Sequence, residues 1–301
     1  MTIQATSTWK TRLKAWWEGY DLSGLGGASR GGTGGAARGG AAANEDEAEA
    51  WTADPVEIVE RLWGRGFHTP GGEDHIPALI KPLALDSTMS VLEIGAGLGG
   101  AARLMATHAG TWVTGLEEDP ALAAAGMHRS IERGLEKQAA IQVFDPERVA
   151  IDKRYDAVFA KESFFTIKRK NELLEAVAAA IKPGGQLLFT DYVLAHSATT
   201  GADVESWRRG EPMSVHPWTV GQYVERLKRL KFDIRISEDL SDRQRTMILE
   251  AWNRMLKELP KGRLSNETRA ALLDEAELWL RRVAAIEGGD LRVYRFHALK
   301  A

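Results

Sequence analysis

The chain has 301 residues, no cysteine and a formal net charge of -3. The missing cysteines remove disulfides, thiolate nucleophiles and cysteine metal sites together, and the small net charge gives no electrostatic reason to expect a nucleic-acid partner. No apolar run reaches the ~20 residues of a membrane span, so the expectation is a cytoplasmic protein with one α/β domain large enough to bury a full core.

Residues 1–21 carry Trp9, Leu13, Trp16, Trp17 and Tyr20 at helical spacing, which places all five on one face. Residues 22–50 are glycine- and alanine-rich and then acidic, with too little apolar surface to offset ordering entropy, and read as a flexible tether. Three roles for the tryptophan helix stand open: docking a protein partner through residues 9–20, folding back on its own domain, or peripheral contact with a membrane surface.

The main domain is expected over residues 51–301. Asp54-Pro55-Val56-Glu57 is a helix start, with Asp54 as cap, Pro55 at the first position and Glu57 completing a capping box. Val56, Val59, Leu62 and Trp63 should form its buried side. The loop Gly66-Phe67-His68-Thr69-Pro70-Gly71-Gly72 and a second helix over 73–82 follow.

The central motif is an apolar strand over 90–94 that breaks into Gly95-Ala96-Gly97-Leu98-Gly99-Gly100. Such a turn needs positive φ and a backbone that a cofactor can approach without meeting a Cβ. Further strands are expected over 111–116, 140–144, 155–160 and 186–190, each ending in polar or aromatic residues at the edge where open α/β sheets bind ligands. Those endings are Glu117 with Glu118, Asp145, Lys161 with Glu162, and Asp191 with Tyr192. Glu117, with Glu118 second, is the candidate to accept ribose hydroxyls; capping of the next helix is the competing role for that acidic cluster. Asp145 is placed to meet an adenine amine.

After Tyr192, residues 193–218 should lie over the site as a lid, with Arg208 and Arg209 able to bind an anionic group. Thr219 and Gln222 form another capping box. A parallel strand over 232–236, helices over 241–259 and 266–284, and a final strand over 291–299 complete the chain. The histidines show no ligand spacing, so no metal site is expected.

At these residues the chain resembles the class I S-adenosylmethionine-dependent methyltransferases, and most of all the phosphoethanolamine (phosphobase) N-methyltransferases. The likeness rests on Gly66 to Gly72, the glycine loop Gly95 to Gly100, Lys182-Pro183-Gly184-Gly185 and Phe189-Thr190-Asp191-Tyr192. It implies a Rossmann-like, seven-stranded, mostly parallel sheet with the last strand antiparallel, plus helical N-terminal and lid additions. S-adenosyl-L-methionine is the implied cofactor, against Thr69, Gly95, Ala96, Gly97, Glu117, Glu118, Asp145 and Lys161.

The family's catalytic tyrosine and histidine fall at Trp51 and Thr166, and its phosphate-gripping arginine and tyrosine at Met213 and Val215. Arg292 keeps a basic phosphate contact. With that pair replaced, Asp191, Tyr192 and Glu162 are the candidates to orient an amine and take its proton. Trp51, Thr166, Arg208 and Arg292 are the substrate candidates.

The resulting expectation is a methyltransferase acting on a small metabolite, an amine or phospho-amine. The alternative is a weakly catalytic scaffold that uses its tryptophan helix to dock a partner. A NAD-dependent dehydrogenase is third, because Lys-Pro-Gly-Gly before the fifth strand and the antiparallel final strand have no place in its plan.

Overall fold

The structure, a computed structural model, describes residues 51–196, 201–260 and 264–301. The tryptophan helix over 1–21 and the tether over 22–50 lie outside the described residues. Seven strands form one sheet: β1 (Ser90–Ile94), β2 (Trp112–Glu117), β3 (Ala139–Val143), β4 (Tyr155–Lys161), β5 (Ile181–Leu194), β6 (Phe232–Asp239) and β7 (Leu291–Lys300). Their order is β3-β2-β1-β4-β5-β7-β6. The first five pair in parallel, and β7 runs antiparallel between β5 and β6. The sheet is therefore mostly parallel with its last strand reversed, as the sequence implied.

β1 and β4 are almost continuously buried because helices cover both faces of the sheet. One face carries α1 (Pro55–Trp63), α2 (Gly72–Ile80), α3 (Gly100–Ala109), α8 (Ser241–Glu258) and α9 (Asn266–Glu287), whose Leu62, Trp63, Met105, Trp252 and Trp279 share one core. The other carries α5 (Lys170–Ala180) and α7 (Val220–Arg229), with Leu173, Leu174, Tyr223 and Leu227 packed on Phe189 and Phe296. α4 (Pro120–Glu132), capped by the Asp119 carboxylate, follows β2.

Several local expectations change. Asp54 caps α1, but Glu57 is not its capping-box partner: it accepts from Thr52 Oγ1 and from Arg61 Nε at 2.9 Å. Ile58 joins Leu62 and Trp63 as the buried side of α1, whereas Val56 and Val59 are half-buried beside a cavity. Thr219 and Gln222 do form their reciprocal box.

The longest difference is β5, which continues to Leu194 because β7 pairs with it through Leu194↔Leu291. The region expected as a lid contributes α6 (Ala202–Gly210). It is anchored by Trp207, which is 0% exposed against Phe165, Tyr192, Ala285 and Leu291. Truncating a Trp so buried costs about 3–5 kcal/mol, so this helix is part of the core rather than a loose flap.

Candidate active site

A cavity of about 640 Å³ opens at the C-terminal edges of β1, β2 and β4. α1, α9 and the residues just after α6 wall its other side. This is the crevice where a parallel α/β sheet, its strand order reversing beside β1, binds ligands.

Gly95, the first residue of the glycine turn, lines the cavity, and Gly97 and Gly99 shape the turn behind it. Gly95, Gly97 and Gly99 all adopt positive φ, at 73, 52 and 73°. A Cβ on Gly95 would meet Ser163 Cβ at 2.3 Å, and one on Gly97 would meet His68 Cε1 at 1.9 Å. Bare backbone is therefore a steric requirement here. Ala96 is buried beneath the turn, its amide donating to Leu116 O at 3.0 Å, and supports the loop without lining the cavity.

Glu117, the last residue of β2, lines the cavity. Its Oε2 accepts from the Gly97 amide at 2.7 Å and its Oε1 from the Asp119 amide at 3.0 Å. Burial pushes its pKa up, while these amides pull the other way. Glu118 is half-buried beside it; burial and the Glu117 charge raise its pKa too.

At the end of β4, Lys161 Nζ donates to Thr69 Oγ1 at 2.9 Å and Glu162 Oε1 at 2.7 Å. The second Glu162 oxygen accepts from Gln244 Nε2 at 2.8 Å. Glu162 has φ 52°, a conformation that costs a non-glycine residue and recurs at functional sites. Thr166 also lines the cavity, donating to Ser163 O at 3.1 Å.

Other sequence candidates are not brought here. Asp145 is exposed and accepts from the Glu147 amide at 2.9 Å, capping its own turn; Phe144 and Pro146 line the cavity instead. Asp191 and Tyr192 were expected at a strand end but are 0% exposed inside β5 and do not line the cavity. Asp191 accepts from Phe165 N at 3.0 Å and Tyr223 Oη at 2.6 Å, and Tyr192 Oη accepts from Gln244 Nε2 at 3.2 Å. Their place inside the sheet, away from the cavity lining, sets them apart from the proton-handling position expected for them. Trp51 carries the Arg61 guanidinium 4.6 Å from its ring and does not line the cavity. Arg208 faces Glu205 at 3.9 Å, and Arg292 pairs with Asp239 at 2.9 Å; neither lines the cavity. Among the described residues, no cluster of three or more His, Asp or Glu is placed to hold a metal ion, and no helix is long and apolar enough to cross a membrane.

The structure adds a wall that sequence reasoning missed. Arg282 Nε and Nη2 each donate at 2.7 Å to the two Glu211 oxygens, a bidentate pair tying α9 to the end of α6. The guanidinium lies 4.4 Å from the Trp279 ring centroid and 5.9 Å from that of Phe165. Burial opposes its charge, but Glu211 beside it prevails and holds the pKa high. Trp279 Nε1 donates to Glu275 at 2.6 Å, and burial raises the pKa of that carboxyl.

His68 also faces the cavity, its pKa pushed down to about 4 by burial and by Lys161 and Arg282. The ring is therefore neutral at pH 7. The available signal for the wall was charge on a buried stripe: Glu275, Leu278, Trp279 and Arg282 recur at helical spacing on α9.

A family described as a methyltransferase domain matches residues 72–234. The chain belongs to this methyltransferase domain family. Its sheet has the class I arrangement, and its relatives include several phosphoethanolamine N-methyltransferases and a sterol 24-C-methyltransferase of Gibberella zeae. Phosphoethanolamine N-methyltransferase 1 of Arabidopsis thaliana is 26% identical over 203 residues, 67% of this chain and 40% of that protein. The Plasmodium falciparum phosphoethanolamine N-methyltransferase is 22% identical over 79% of this chain and 88% of its own length.

Among solved structures, Haemonchus contortus phosphoethanolamine N-methyltransferase 2 with phosphomonomethylethanolamine and S-adenosylhomocysteine superposes with TM-score 0.71 at 25% identity, covering 83% of this chain and 57% of that one. The chain spans less than half the length of the first curated relatives it matches, 40% and 36% of them.

Proposed function

We propose that this methyltransferase-family chain transfers a methyl group from S-adenosyl-L-methionine to the nitrogen of a small amine. The observation that carries the reading is the Glu117–Gly97 contact at 2.7 Å over a glycine turn where a Cβ is sterically excluded. The residues fit the cofactor: Gly95 offers bare backbone, Gly97 holds Glu117 in place, Glu117 and Glu118 offer carboxylates for hydroxyls, and Phe144 with Pro146 offers an apolar slot. The phosphoethanolamine N-methyltransferases among the relatives support an amine acceptor.

The cofactor supplies an activated methyl group, so the protein has only to position an unprotonated nucleophile and keep water out. Thr69 and the Lys161–Glu162 pair, held by Gln244, fix the floor between the two ends of the cavity. Phe165, Leu278 and Trp279 exclude water from the acceptor end. At the acceptor end, the unprotonated ring nitrogen of neutral His68 and the Glu275 carboxyl can take a hydrogen bond or proton from an incoming amine.

Calorimetric titration with S-adenosylmethionine and S-adenosylhomocysteine, followed by mass spectrometry of an amine panel, tests the proposal. Micromolar cofactor affinity and a mass gain of one methyl on an amine are expected. Absence of cofactor binding would remove the reading.

A further inference from the structure

Resting on that reading, we infer that the methyl acceptor is an amine on an apolar body that carries no phosphate. The cavity wall is acidic: seven Asp and Glu side chains line it, against two basic ones, Lys161 and Arg282. A phosphomonoester brings about -1.5 to -2 charges at pH 7 and needs uncommitted donors of positive charge when taken out of water.

Neither cation is uncommitted. Lys161 already neutralises Glu162 at 2.7 Å and bonds Thr69. Arg282 gives its Nε/Nη2 edge to Glu211 in two bonds of 2.7 Å, with side-chain exposures of 10% and 2%, so its charge is already balanced by a buried carboxylate. Freeing it would leave Glu211 buried without its partner, a strongly unfavourable exchange. The neutral His68 adds no positive charge.

The rest of the acceptor end favours the opposite ligand. Val56, Val59, Phe165, Leu278 and Trp279 give it apolar walls, and exposed Met213 stands at its mouth. Glu275, fixed by Trp279 Nε1 at 2.6 Å, places a partly desolvated carboxyl among them. A carboxyl so raised by burial is relieved by an ammonium ion, and aromatic faces stabilise the same cation. An amine on an aryl or alkyl body satisfies both the wall and the carboxyl. A phospho-amine brings the same ammonium to the carboxyl but sets a hydrated dianion against the apolar wall.

The test uses the full chain in two parallel measurements. Titration with S-adenosylmethionine checks the underlying reading on its own, and its failure would remove both proposals. With cofactor binding established, kcat/KM is compared for phosphoethanolamine, ethanolamine, N-methylbenzylamine, N-methylphenethylamine and N-methylhexylamine. At least one apolar amine should exceed phosphoethanolamine by 100-fold or more. Equal or greater turnover of phosphoethanolamine, or methylation of none of the three apolar amines, overturns the inference while leaving the cofactor reading standing. Glu275→Gln keeps an acceptor for Trp279 Nε1 and so preserves the fold. It should raise KM for the preferred amine about tenfold with cofactor affinity unchanged, and an unchanged KM also counts against the inference.

Discussion

Glu117 and Gly97 are joined across the crevice, the carboxylate at the end of β2 accepting the amide of the glycine turn at 2.7 Å. One side chain thus sets the turn and faces the cavity at once. Its removal should loosen the bare backbone edge and delete a hydroxyl acceptor. Glu117→Ala is expected to weaken S-adenosylmethionine binding 10–100-fold, matching about 1.5–3 kcal/mol for hydrogen bonds to a charged group. Glu117→Gln, which can still accept from Gly97, should lose less. Calorimetry reads both, and identical affinity for wild type and the Ala variant would take Glu117 out of the cofactor site.

Gly97→Ala tests the turn itself. The residue sits at φ 52°, where a Cβ is disfavoured by about 1–2 kcal/mol, and the added methyl would lie 1.9 Å from His68 Cε1. The variant should melt several degrees lower and lose most cofactor affinity. Adding His68→Ala removes the collision but not the backbone strain, so the double variant should recover part of the thermal stability. No recovery would show that the imidazole is not what confines this turn.

Asp191→Asn and Tyr192→Phe should act on stability rather than chemistry. Asp191 bonds Phe165 N and Tyr223 Oη behind the sheet edge, and losing one such buried bond costs about 1–3 kcal/mol. Urea midpoints should fall, while kcat stays within about threefold of wild type because neither side chain lines the cavity. A hundredfold loss of kcat in a folded Asp191→Asn variant would restore the residue to the reaction. Burial pushes the Asp191 pKa up to about 6, against the pull of Lys170 and its hydrogen bonds. The protonated form's contribution is therefore full below the ordinary value of 3.8 and lost as pH rises through 6.

That misplacement shows what sequence could and could not reveal. The glycine turn, Glu117 and the Lys161-Glu162 ending were legible because strand, turn and helix start are local and their residue types are dictated by sterics. The end of β5 was not. Its length is set by β7, about a hundred residues later, which pairs as far as Leu194 and carries Asp191 and Tyr192 inside the sheet. The acceptor wall is equally non-local: Glu211 and Arg282 are 71 positions apart, and Trp63 packs on Trp279 from the other end of the domain. Arg292, a lone cation in the sequence, is taken by Asp239, and Arg208 lies along α6 at 3.9 Å from Glu205, outside the cavity.

Glu93 offers a last test, in the middle of β1 behind the glycine turn. It is 3% exposed, and its Oε2 has no hydrogen-bond partner among the described residues. Burial pushes its pKa up to about 8, with Arg103 pulling down and Glu117 pushing further up. The native state therefore holds a proton that the unfolded chain releases above 4.5. Since the folded pKa is the higher one, the contribution of Glu93 is full below 4.5 and is lost as pH rises through 8, by up to about 1.4 kcal/mol per pH unit. Glu93→Gln mimics the neutral form at every pH. Its urea midpoint should lie close to that of wild type at pH 5 and move above it by pH 9 as the wild-type carboxyl is forced to ionise. Parallel stability curves for the two proteins across that range would mean that Glu93 is already ionised at pH 5, its charge answered by Arg103.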